Sequence, residues 1–119
     1  MLAALLAGCG GVRPAFTDPA KPLRVAAGET FVLQLAANDT TPYRWYLADP
    51  RPNPAVVALV GSRYQPERGA FQHAGAGGTI IWTFRALSPG QTRIVLRYRD
   101  LGPDVRAPAQ DAVFQVVVR

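Results

Sequence analysis

Gly78-Thr79-Ile80-Ile81-Trp82-Thr83-Phe84-Arg85-Ala86-Leu87-Ser88-Pro89-Gly90-Gln91-Thr92-Arg93-Ile94-Val95-Leu96-Arg97-Tyr98-Arg99 is the stretch that decides the fold. Ile80, Trp82, Phe84 and Ala86 recur at every second position. Ile94, Leu96 and Tyr98 do the same after Ser88-Pro89-Gly90-Gln91, with Arg93, Arg97 and Arg99 on the alternate positions. Side chains along a strand point to opposite faces in turn, so this text reads as two half-buried strands joined by a tight Pro-Gly turn.

The same pattern extends in both directions. Upstream, Leu23 to Ala26 is a short strand ended by the turn Ala27-Gly28-Glu29, and Thr30 to Ala37 puts Phe31, Leu33 and Leu35 on one face. Tyr43 to Leu47 is a third strand. Pro50, Pro52 and Pro54 make a stiff connection that no central strand tolerates. Val56 to Val60 is a fourth strand, extendable towards Tyr64, and Gln65 to Gly77 is a long loop before the pair described above. Ala112 to Val118 closes the chain with Phe114, Val116 and Val118 on one face. About seven antiparallel strands with no helical period predict an all-β, immunoglobulin-like β-sandwich.

With 119 residues the chain is one domain by size, and 49% hydrophobic against 18% charged residues describes a folded chain. About a dozen large apolar side chains, at roughly 1.5–3 kcal/mol each on burial, suffice to offset the chain entropy of such a domain. The net charge of +5 comes from twelve Arg and one Lys spread along the sequence. No recognition motif accompanies that charge, so the expected partner is not a nucleic acid, and the arginines read as a solvated basic face.

The first nine residues, Met1-Leu2-Ala3-Ala4-Leu5-Leu6-Ala7-Gly8-Cys9, are apolar and end in small residues and the single cysteine. Leu6-Ala7-Gly8-Cys9 resembles the lipobox of bacterial lipoproteins, which implies a signal segment over 1–9, lipidation at Cys9 and attachment to the bacterial envelope through that anchor alone. No Lys or Arg precedes the apolar run, so a basic stretch is expected upstream of Met1. Residues 10–22, with Pro14, Pro19 and Pro22, read as a tether, and 23–119 as the domain.

Catalytic chemistry is not legible. His73 is the only histidine and lies in the long loop; with Cys9 the only cysteine, neither a Cys–His pair nor a thiolate metal site can be built. The eight acidic residues occur singly, and Gly75-Ala76-Gly77-Gly78 leads into a strand where a phosphate-cradling loop leads into a helix. The chain is expected to be neither an enzyme nor a cofactor carrier. Function then falls to the loops.

Three loops stand out. Asn38-Asp39-Thr40-Thr41-Pro42-Tyr43-Arg44-Trp45 pairs two hydroxyls between Asn and Pro, a composition suited to a rigid, hydrogen-bonding tip. Gly75-Ala76-Gly77-Gly78-Thr79 permits positive φ and leaves backbone uncovered for a partner chain. Arg97-Tyr98-Arg99-Asp100-Leu101-Gly102-Pro103 closes the sixth strand.

In this order and on these strands, the loops resemble those of the chagasin family of cysteine peptidase inhibitors. That family carries an N-P-T-T-G-[YF]-x-W loop, a G-x-G-G loop and an R-P-W loop after a Tyr near a strand end. The first is matched by Asn38, Thr40, Thr41, Tyr43 and Trp45, and the second by Gly75, Gly77 and Gly78. Tyr64 and Pro66 resemble the family's Y-x-P stretch, and Ala86 to Thr92 its K-A-x-x-x-G-x turn. Two departures stand beside these matches. Asp39 and Pro42 replace the family's Pro and Gly, and Asp100-Leu101-Gly102-Pro103 replaces R-P-W.

The resemblance implies a monomeric, reversible inhibitor whose partner is a papain-like cysteine peptidase. Thr40 and Thr41 would sit over the catalytic Cys and His, and Gly75 to Gly78 would pair backbone with the cleft wall. Leu101, flanked by Arg99 and Asp100, would take the place of the missing Trp. A non-inhibitory envelope adhesion or assembly module on the same sandwich is the alternative; it differs in predicting indifference to bulky residues at Thr40 and Thr41.

Overall fold

A computed structural model describes residues 13–67, 77–100 and 110–119. Cys9, Gly75 and Leu101, named above for lipidation and peptidase contact, lie outside the described residues, as does His73. Eight strands occur among the described residues: β1 (Ala15–Phe16), β2 (Leu23–Val25), β3 (Thr30–Ala37), β4 (Tyr43–Leu47), β5 (Val57–Pro66), β6 (Gly78–Ala86), β7 (Gly90–Asp100) and β8 (Gln110–Val118). They form two four-stranded sheets, ordered β1-β3-β6-β5 and β2-β8-β7-β4.

The alternation in the sequence becomes the space between the sheets. Phe31, Leu33, Phe84, Ile94, Leu96 and Phe114 are fully buried, and Phe31 stacks on Phe84 with centroids 5.9 Å apart. Three aromatic rings and the surrounding aliphatics contribute most of the apolar burial that holds the domain together. The turn at 26–29 is built as its residues require. Gly28 takes φ of 90°, and its N–H donates to the Ala86 carbonyl at 2.8 Å. Glu29 returns its carboxylate to the Ala26 N–H at 3.0 Å.

Four expectations are corrected. Ala15–Phe16, expected within the tether, forms a strand parallel to β3, because Phe16 packs edge-on against Phe31 at 6.2 Å and the Val32 N–H finds the Pro14 carbonyl at 2.9 Å. β2 likewise pairs in parallel with β8, so the sheets are mixed and not wholly antiparallel. β5 runs on to Pro66 past a bulge between Leu59 and Gly61, which takes Gln65 and Pro66 out of the expected loop. A bulge inserts one residue and lets the ladder resume beyond it. β7 begins at Gly90, two residues earlier than the alternation indicated.

Register defines two poles. Ala37 pairs with Gly78 and Pro66 with Gly78, while Tyr43 pairs with Asp100 and Tyr98 with Gln110. The β3–β4, β5–β6 and β7–β8 connections therefore leave from the same end of the sandwich. The 26–29 and 87–89 turns lie at the other.

Candidate functional site

The β3–β4 connection crosses from one sheet to the other, so its backbone groups have no ladder partners and must be satisfied locally. Side chains do this. Asn38 Oδ1 accepts from the Thr40 N–H at 3.0 Å and from the Thr40 hydroxyl at 2.5 Å. The Asn38 carbonyl accepts from the Thr41 N–H at 3.1 Å and the Thr41 hydroxyl at 2.7 Å, and Thr41 Oγ1 accepts in turn from the Tyr43 N–H at 3.2 Å. Both hydroxyl protons are consumed within the loop, while Thr40 and Pro42 remain exposed at its crest. What Thr40 offers outward is an acceptor oxygen and a methyl group.

The loop stands on an aromatic base. Tyr98 stacks on Trp45 at 4.9 Å and tilts against Tyr43 at 5.2 Å, and its hydroxyl accepts from the Asn38 N–H at 3.2 Å. Trp45 donates its indole N–H to the Ala36 carbonyl at 2.9 Å. Tyr43 and Trp45 thus support the tip from the inner side of β4. Arg44, on the outer side, reaches back over the loop: its Nη1 donates to the carbonyls of Thr41 and Tyr43, at 2.5 and 2.8 Å, and its Nη2 to the Asp39 carbonyl at 3.3 Å.

The glycine segment meets this loop directly. A β-carbon placed on Gly77 would lie 3.1 Å from the Ala37 carbonyl oxygen and 3.8 Å from Asn38 Cβ. Its carbonyl accepts from the Glu67 N–H at 2.9 Å, extending the β5–β6 ladder one step beyond Pro66 and Gly78. Gly78 is glycine for a different reason: a β-carbon there would lie 2.3 Å from the Gln65 carbonyl oxygen and 2.7 Å from Tyr64 Oη. Neither Gly77 nor Gly78 uses the positive φ that glycine permits. Close approach of Tyr64 and of two backbones is what excludes a side chain here. It also ties Tyr64 and Pro66 to the glycines they resembled as a set.

Arg99 reaches this pole but on the outer face of its sheet, opposite Arg44 in register and bonded to the Tyr46 phenol. Hydrogen bonds from Arg99 and then Arg97 hold that phenol below its ordinary range. Arg97 also makes two hydrogen bonds to Asp111, at 2.8 and 3.1 Å, which hold the Asp111 carboxyl below its usual value. The structure therefore joins Asn38, Thr40, Thr41, Tyr43, Trp45, Gly77 and Gly78 into one surface and sets Arg99 at its border.

Sequence reasoning missed two supports, Arg44 and the hydroxyl of Tyr98. An arginine on a strand reads as solvent-facing; the signal was the loop's uncommitted carbonyls, with Asp39 five residues upstream. Among the described residues no group of His, Cys, Asp and Glu could hold a metal ion.

A β-sandwich that gathers a hydrogen-bonded Thr-Thr tip and a glycine segment at one pole is a scaffold for protein recognition. The chagasin family peptidase inhibitor I42 profile matches residues 24–118, and the chain belongs to that family of inhibitors, which are not enzymes. Solved structures agree on the fold. Amebosin is 23% identical with a TM-score of 0.70, covering 92% of this chain and 100% of its own. The cysteine protease inhibitor EhICP2 from Entamoeba histolytica is 18% identical with a TM-score of 0.68 over 92% and 100%. PbICP-C, solved in complex with falcipain-2, is 17% identical with a TM-score of 0.61 over 90% and 91%. A comparison with curated protein sequences finds no match.

Proposed function

We propose that the domain inhibits papain-like cysteine peptidases by seating the Asn38–Pro42 loop and the Gly77–Gly78 segment together in the active-site groove. The observation that carries this reading is their juxtaposition at one pole, so close that a β-carbon on Gly77 would lie 3.8 Å from Asn38 Cβ. Thr40, exposed and with its proton already donated, suits a groove that presents a cationic imidazole as donor. A tip held by its own hydrogen bonds has little ordering entropy left to lose on binding. Gly77 presents no side chain beside the loop, which suits close approach by a groove wall. That PbICP-C has been solved with falcipain-2 supports the choice of peptidase class.

The test is a titration of the purified domain into a panel of papain-like peptidases. Reversible, stoichiometric loss of activity is expected, with activity restored when Thr40 and Thr41 are both replaced by Trp. Full peptidase activity at micromolar wild-type domain overturns the reading.

Leu6-Ala7-Gly8-Cys9 supports lipidation at Cys9 and hence an envelope location. Incorporation of an acyl label that Cys9→Ser abolishes is the expected result; labelling unaffected by that change refutes it.

A further inference from the structure

We propose that Arg44 is the positioning residue that keeps the Asn38–Pro42 loop in one shape, and so keeps it from being hydrolysed in a peptidase groove. This rests on the inhibitory reading above. The chagasin pattern places a proline directly after the loop's asparagine, where ring closure stiffens the rise to the Thr pair. Here that position is Asp39, with an unrestricted φ, and Pro42 follows the Thr pair. The rise must be held some other way.

The geometry points to one side chain. Arg44 Nη1 takes the carbonyls of Thr41 and Tyr43, Nη2 takes that of Asp39, and Nε lies 3.7 Å from the Asp39 carboxylate. Three carbonyls and one carboxylate, on both sides of the crest, converge on one planar fork. Only guanidinium presents several donors in fixed directions; an ammonium is a point charge on a flexible stem. Charge adds little here, because Arg44 and Asp39 side chains are 41% and 34% exposed and such pairs are weak. The carbonyls carry the clamp.

The clamp has a chemical consequence. Thiolate attack requires the scissile carbonyl to face the nucleophile while its oxygen turns into the oxyanion site. The Thr41 carbonyl oxygen is already engaged by Arg44, and the Asp39 carbonyl is held towards the same guanidinium. Neither can adopt the attack geometry until the clamp opens. Without it the loop is free to present a carbonyl, and hydrolysis adds hydroxyl to that carbonyl carbon and a proton to the departing amine.

Three chains are compared: wild type, Arg44→Ala and Arg44→Lys. In the free domain, NMR order parameters of the Thr40 and Thr41 amides are expected to fall from rigid values near ~0.85 to below ~0.6 in Arg44→Ala. The inhibition constant is expected to rise about tenfold, the cost of ordering roughly one residue of backbone on binding. On prolonged incubation Arg44→Ala should be cut between residues 39 and 43, by mass spectrometry, while wild type stays whole. Arg44→Lys should fall between the two, and it carries the same comparison should Arg44→Ala fail to fold. Unchanged order parameters, or a variant that inhibits like wild type and stays uncut, overturn the proposal. Absence of inhibition by wild type defeats the functional reading instead, and the order parameters of the free domain still judge the clamp.

Discussion

Gly78→Ala is the sharpest probe of how the glycine segment is built, because two rules give it opposite signs. Backbone φ at Gly78 is not in the left-handed region, so the chain itself does not demand glycine. At such a position, replacing Gly by Ala stabilises by about 0.4–1 kcal/mol through the unfolded state. Space says otherwise. The new β-carbon would lie 2.3 Å from the Gln65 carbonyl oxygen, 2.7 Å from Tyr64 Oη and 2.8 Å from Tyr64 Cζ. Tyr64 can swing away; Gln65 is backbone in the adjoining strand, so β5 and β6 must part near Pro66 and Gly78. Forced displacement of this kind costs about 1–3 kcal/mol, which outweighs the entropic gain. For a domain near one hundred residues, the net loss lowers the melting temperature by roughly 3–12 °C. The assay is thermal unfolding followed by near-ultraviolet circular dichroism, with Gly78→Ala/Tyr64→Ala beside it. The double variant removes the ring contacts and leaves the carbonyl clash, so partial recovery is expected. A Gly78→Ala domain as stable as wild type, or more so, refutes the packing argument. The milder Gly77→Ala, at 3.1 Å from the Ala37 oxygen, should cost less.

Two further predictions concern the supports of the site. Tyr98→Phe keeps the stack on Trp45 but removes the hydroxyl that accepts from the Asn38 N–H, at a cost of about 0.5–1.5 kcal/mol. Loop amide exchange should quicken, and the inhibition constant should rise by roughly tenfold; an unchanged exchange rate at Asn38 counts against this. The Arg97–Asp111 pair makes stability depend on acid. A depressed aspartate pKa contributes stability above the ordinary value of 3.8, which is lost as pH falls through the lower folded value. Wild type should therefore lose a small increment of stability in strong acid that Asp111→Asn lacks. Parallel melting curves of the two proteins from pH 7 to pH 2 would show the pair contributes nothing.

Alternation made the sandwich legible because large apolar residues at every second position give each strand one face to bury. Phe31, Leu33, Trp82, Phe84, Ile94, Leu96, Phe114 and Val116 lie in the core as their spacing required. The alternation fails at three positions on strands flanked on both sides by others. Val32, Ile81 and Val95 are buried too, although their neighbours on the strand are the inward ones. Ala15–Phe16 was illegible because two residues beside a proline carry no period; only the open edge of β3 makes them a strand. At the candidate site, residue types singled out the two loops that the fold brings to one pole. How the loops are held was hidden. The Arg44 clamp and the contact of Tyr64 with Gly78 each depend on where a chain crossing or a neighbouring strand places atoms, and local composition does not encode that.

The short β1 strand fixes more than an edge. Because Ala15 and Phe16 lie beside Val32 and Leu33, parallel to β3, the polypeptide joins the sandwich towards the end where the 26–29 turn sits. Pro14, whose carbonyl accepts from the Val32 N–H, thus lies on the side away from the threonine crest. A bulky enzyme docking at the crest would therefore meet neither β1 nor the 26–29 turn.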